Sequence, residues 1–89
     1  MSNVFIAFQD NDESRPVVDA IIQDNPAALL TRSPGLVKID SPSRLVIKRE
    51  TIESLTEQDF DLQRIHINLI TLSGHIDEDD DEISLTWKH

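Results

Sequence analysis

The sequence predicts an α+β fold: one small domain of two βαββ-like halves, with two short helices packed on mostly antiparallel sheets. Three observations carry that prediction. Short apolar or alternating stretches rich in Val, Ile and Leu recur along the chain, as strands require. Two segments instead space apolar residues at helical intervals: Val17, Val18, Ile21 and Ile22, then Ile52 and Leu55. Turn residues such as Ser33-Pro34-Gly35, Ser41-Pro42-Ser43 and Ser73-Gly74 separate these segments. The 89 residues make a single domain, 1–89, and a chain this short buries only about 60–65% of its unfolded surface. That leaves a thin core and little room for an enclosed substrate cavity.

Each element has a local reason. Val4 to Phe8 (VFIAF) is an unbroken β-branched and aromatic run, as in a strand covered on both faces. Asn11 to Ser14 then supply the polar, acidic start of a helix, and Pro16 fits only its first turn, which places the cap near Ser14 or one to two residues earlier. The stripe of Val17, Val18, Ile21 and Ile22 runs to a stop at Asn25-Pro26. Ala27 to Arg32 and Leu36 to Asp40 form a hairpin, because Pro34 presets the first central position of its turn and Gly35 accepts positive φ at the second. Arg44 to Glu50 continue as a strand, and Thr51 is expected to cap a short helix with Ile52 and Leu55 inside, ending before Asp59. The stretch QRIHINLITLSG alternates Ile65, Ile67 and Leu69 against His66, Asn68 and Ile70, which predicts a strand. A charged loop follows over Asp77 to Glu82, and Ile83, Leu85 and Trp87 alternate on the last strand.

Composition removes several classes of function. No cysteine is present, so no disulfide, thiolate ligand or thiol nucleophile is available, and an unstapled core fits a reducing cytoplasm. Nothing near Met1 resembles a signal peptide, and the longest apolar runs fall far short of the ~20 residues that cross a bilayer. A net charge of −9 argues against nucleic-acid partners and anionic membranes. The charge is also segregated: residues 1–30 carry −4, 31–50 carry +3 and 51–89 carry −8, a pattern that can orient a protein partner.

Chemistry finds no foothold. A calcium loop starting at Asp77 would need Gly at its sixth position and Glu at its twelfth, where Glu82 and Lys88 stand. His66, His75 and His89 show no paired ligand spacing and read as surface residues. Ser43 and Ser73 lack a nucleophile elbow, and the two glycines, Gly35 and Gly74, cannot make a phosphate loop. Trp87 reads as a lid on the core, Asn68 as either a sheet-face polar group or an exposed contact, and Ser33-Pro34-Gly35 more readily as a plain turn than as a recognition tip. Catalytic, cofactor-binding and metal-binding residues are therefore expected to be absent. Composition and spacing alone lead to a small acidic binding module.

The residues themselves carry a more specific likeness. VFIAFQDNDESRPVVDAI from Val4, QDNPAALLTRSPGLVKIDSPSRLVIKRE from Gln23 and DFDLQRIHINLITLSGHIDEDDDEISLTW from Asp59 closely resemble the small regulatory, or coupling, component of bacterial multicomponent phenol hydroxylases. That family includes the regulatory proteins of soluble methane and toluene monooxygenases. The likeness runs from Val4 to Trp87 and lies in the joint order and spacing of DNP, RSPG, KID, DFDL, NLI-LSG and the acidic run. It implies a cytoplasmic, cofactor-free and non-catalytic α+β protein built of two βαββ-like halves. It implies docking on a hydroxylase with a carboxylate-bridged diiron centre, supplied with electrons from NADH by a reductase carrying FAD and an iron-sulfur cluster. Competition with that reductase for docking and a monomeric free state belong to the same expectation.

A standard interface hides about 800 Å² per partner, roughly one sixth of the surface of a 10 kDa protein. Residues with no core role are the docking candidates: Asn25 and Pro26 at their corner, Arg32, Ser33, Pro34 and Gly35 at the hairpin, and Arg44, Arg49, Asn68 and Ser73. The acidic run is expected to act on orientation and association rate. Two rival functions are a small-molecule-binding regulatory domain and an acidic decoy for a nucleic-acid enzyme; the second leaves the basic stretch 31–50 without a purpose.

Overall fold

The structure, a computed structural model, describes residues 3–87, so His89 and Lys88 of the reading above lie outside the described residues. Strand β1 (Asn3–Gln9) leads through Asn11 to Ser14 into helix α1 (Arg15–Asp24). The hairpin β2 (Leu29–Ser33) and β3 (Leu36–Pro42) follows, then β4 (Arg44–Lys48) and α2 (Arg49–Thr56). A 3₁₀ turn (Leu62–Arg64) runs into the short helix α3 (Ile65–Asn68), and β5 (Leu69–Ser73), β6 (His75–Glu78) and β7 (Glu82–Thr86) complete the chain.

All strand pairs are antiparallel, in one sheet of order β2-β3-β1-β5 and another of order β4-β7-β6. The two halves share a topology. In each, the first strand (β1 or β4) is followed by a helix and then by a hairpin whose second strand pairs back onto it. Strand β5 is the exception: it leaves the second half to pair with β1. Gly74 makes the return possible, at φ +130°, with Val4 Cγ1 2.9 Å and the Thr86 carbonyl 3.2 Å from where a Cβ would stand.

The core lies between the sheets and α1. Val4, Ile6 and Phe8 of β1 face inward with Val37 and Ile39 of β3, Leu45 and Ile47 of β4, and Ile83 and Leu85 of β7. Val17, Val18, Ala20 and Ile21 of α1 pack against them, as the helical stripe predicts. Pro16 sits in the first turn of α1, and Gly35 takes φ +76° in the hairpin turn, both as expected.

Four local expectations are overturned. The segment 62–68 is helical, because Leu62, Ile65 and Asn68 are buried at a spacing of three while Ile67 is 65% exposed. Thr51 lies buried inside α2 and does not cap it; the helix starts at Arg49, whose backbone N–H donates to the Asp81 carbonyl at 2.9 Å. A tertiary contact therefore converts the end of the expected strand into the first helical turn, and it leaves Leu55 46% exposed. The acidic run is not one loop: Asp77 and Glu78 belong to β6, Asp79 to Asp81 make the turn, and Glu82 opens β7. Trp87 stands past the end of β7 at 40% exposure, and its indole N–H donates to the Asn3 carbonyl at 2.6 Å instead of covering the core.

Candidate docking surface

The ten candidate residues fall into four places. Arg32, Ser33, Pro34 and Gly35 form the exposed tip of the β2–β3 hairpin, and Arg32 pairs with Asp10 at 3.2 Å. The Asp10 N–H donates to the Gly35 carbonyl, which fixes the tip against the end of β1. Asn68 is buried at the same end of the sheet: its Oδ1 accepts from Asn11 at 2.8 Å and its amide donates to Glu13 at 3.1 Å. Ser73 lies at the far end of β5 opposite Phe5, and Arg44 at the start of β4 opposite Thr86.

Asn25 and Pro26 occupy the exit of α1. Pro26 is exposed, whereas the Asn25 amide is buried and donates to the carbonyls of Ile21 and Val46, each at 2.7 Å. Its Oδ1 accepts from the Val46 N–H at 2.9 Å. Arg49, finally, is tied to Asp81 by a 2.7 Å ion pair. The candidates therefore do not make one continuous patch, and the amides of Asn25 and Asn68 are engaged within the fold.

Internal pairing also reshapes the electrostatics. Of the cations between residues 31 and 50, Arg32, Lys38 and Arg49 are neutralised by Asp10, Asp40 and Asp81. Arg44 and Lys48, both on edge strand β4, have no ion pair among the described residues. The acidic turn is ordered by its own groups: Asp79 Oδ1 accepts from the N–H groups of Asp81 and Glu82, each at 2.8 Å. His66 and His75 are half-exposed, as the surface reading expects, and His66 Nε2 lies 2.7 Å from Glu78 Oε1, joining α3 to β6.

Among the described residues no group of His, Asp and Glu converges as a metal site. An open cleft of about 600 Å³ separates the acidic turn from the segment after α2, with Glu53, Asp59, Phe60, Arg64, Asp79 and Asp80 on its walls. The apolar space beneath it, between Phe8, Val17, Phe60 and Ile65, is only about 10 Å³, room for one water at most. A phenol ring does not fit there without opening the core. No described helix is long and apolar enough to cross a membrane.

Sequence reasoning missed the exposed apolar residues Leu29, Leu30, Ile67 and Ile70. Their hydrophobicity is plain in the sequence, but nothing local says that the fold leaves them uncovered.

Comparison with known proteins places this geometry in context. A profile of the MmoB/DmpM family matches residues 2–86. The chain is 48% identical over 88 residues to the stimulatory component DmpM of phenol 2-monooxygenase from Pseudomonas sp. (strain CF600), covering 99% of this chain and 98% of the other. It superposes with a TM-score of 0.94 and 45% identity on a chain in a phenol hydroxylase–regulatory protein complex, over 98% of this chain and all of that one. The soluble methane monooxygenase regulatory protein B shares the fold, with a TM-score of 0.75 at 14% identity over 97% of this chain and 65% of the other.

Proposed function

The chain belongs to the MmoB/DmpM family, and from that membership we propose that it is the regulatory, or stimulatory, component of a phenol hydroxylase. It is a non-catalytic protein that docks on the hydroxylase and promotes hydroxylation of the aromatic ring. The observation that carries this reading is the end-to-end likeness to a phenol 2-monooxygenase stimulatory component, with no large insertion or missing element between them.

The finer parts of the reading follow from the chemistry of such a system. The hydroxylase holds a diiron centre that activates oxygen, and a reductase with FAD and an iron-sulfur cluster feeds it electrons from NADH in the cytoplasm. This chain contributes no cofactor. A regulator can shift its partner only by preferring one conformation of it over another. A hundredfold preference for the active form corresponds to about 2.7 kcal/mol of differential contact. The free protein acts as a monomer, and it shares or contests the hydroxylase surface with the reductase.

NADH-dependent phenol hydroxylation by the cognate hydroxylase and reductase tests the proposal, with this protein titrated in. The expected result is a saturable rise in product formed per NADH consumed, and no activity from this protein alone. A titration with no effect at any ratio rejects it. Adding excess protein at limiting reductase then reads the competition: a fall in rate beyond the optimum supports a contested surface.

A further inference from the structure

We infer that the hydroxylase docks on the uncovered face of the four-stranded sheet, between the apolar edges at β2 and β5; the inference rests on the function proposed above. One face of this sheet builds the core through Val4, Ile6, Phe8, Val37 and Ile39. The register turns Phe5 and Ala7 of β1, Lys38 of β3 and Thr71 of β5 to the opposite face. There Phe5 and Lys38 stay half-buried, Ala7 is buried and Thr71 is exposed, and the Lys38 ammonium rests 4.4 Å from the Phe5 ring centroid.

Its margins are apolar. Among the described residues six large hydrophobic side chains are exposed, and four of them flank this sheet: Leu29 and Leu30 on β2, Ile70 in β5, and Ile67 just before it. Leu29 is 70% exposed, the most of the six. Leu29 stands opposite Asp40 on this face, whereas Leu30 stands opposite Ile39 on the core side. Single exposed hydrophobics are ordinary, but exposed apolar residues at both edges of one sheet mark a contact surface.

Strand β2 also lacks the devices that keep edge strands from pairing or sticking. Edge β4 carries Arg44 and Lys48 and has its middle residue capped by the Asn25 amide. Edge β6 is short and carries His75, Asp77 and Glu78, and β5 is kinked by a register shift opposite Ala7 and Phe8. In β2 all five residues are exposed, and the one charge, Arg32, is held by Asp10.

Charge selects the occupant. Lys38 pairs with Asp40 at 3.7 Å on this face, so it is neutral in a chain of net −9, and the acidic run lies on the other sheet. A partner with a flat apolar surface can cover it without burying an unpaired charge. A second copy would bring two chains of −9 each together. Four short strands project on the order of 400 Å² at the usual rise and spacing. The two margins extend this toward the ~800 Å² of a standard interface, about 15% of the 5372 Å² the chain exposes.

Calorimetric titration of the full chain into the purified hydroxylase tests the assignment with Leu29→Glu and Thr71→Glu, one on each side of the face. Both positions are exposed, and circular dichroism with urea unfolding checks that the fold is kept. Leu55→Glu, on α2, is the control. Each of the first two variants is expected to weaken binding at least tenfold, and the control to bind as the unsubstituted protein does. Unchanged affinity for both variants overturns this docking face and leaves the regulatory function standing. An unsubstituted protein that does not bind the hydroxylase overturns that function and this face with it. If the free chain sediments as a dimer, Leu29→Glu as a monomer, and both bind the hydroxylase equally, the face belongs to a second copy and the assignment is overturned.

Discussion

Asn25 does with one side chain what an added strand would do with its backbone. Its carboxamide donates to the Val46 carbonyl and accepts from the Val46 N–H, closing the middle of edge strand β4, and also donates to the Ile21 carbonyl at the exit of α1. Asn25→Ala leaves those groups short of partners in a largely buried site and is expected to cost about 2–3 kcal/mol in urea unfolding; a change within experimental error rejects the role. Gly74 is the second single-residue constraint. Gly74→Ala would place a Cβ 2.9 Å from Val4 Cγ1 at φ +130°, and the expected loss is about 2 kcal/mol or more, read the same way. Neither role was legible beforehand. The Asn25-Pro26 pair signals a helix end, which it is, but the partner of the amide lies 21 residues away along the chain.

At the scale of elements, the segment 62–68 shows how two periods can share one sequence. Leu62, Ile65 and Asn68 repeat every three residues and are buried, yet Ile65, Ile67 and Leu69 also alternate as a strand would. Packing decides, because Leu62 and Ile65 join the core cluster. Ile65→Ala is therefore expected to cost about 2–4 kcal/mol, and Ile67→Glu to stay within about 0.5 kcal/mol. A strand would penalise both, so comparable losses in thermal or urea unfolding would contradict the helix. β1, α1 and the β2–β3 hairpin were legible because their signals are local: an apolar run, a stripe with its proline, a turn with its glycine. The start of α2 was not, since Asp81 sets it from the other side of the fold. Strand β6 was hidden for a different reason: carboxylates are poor strand formers, and an edge strand with no fully buried residue shows little apolar pattern. Of the candidate residues, the hairpin tip is exposed, as its turn chemistry signals, while Asn25 and Asn68 are held inside by partners distant in the chain.

For the whole molecule, charge and contact are separated: the six consecutive carboxylates project from the three-stranded sheet, and the neutral face belongs to the four-stranded one. Such a layout steers an approach without having to be dehydrated at the end of it. Asp80 is the residue with which to test this, because Asp79 orders the turn and Asp81 holds Arg49. Asp80→Asn is expected to slow association with the hydroxylase on the order of twofold at low ionic strength, with the difference fading in high salt and saturated turnover unchanged. A stopped-flow on-rate insensitive to both the substitution and salt would refute steering. The contact between Trp87 and Asn3 has a practical consequence of another kind. The chain has a single tryptophan, and its indole fastens the end of the last strand to the beginning of the first. Its emission is thus a built-in optical reporter of whether the two halves are clasped, and it should redden as that clasp opens, in step with loss of ellipticity if both sheets melt together and ahead of it if the ends release first.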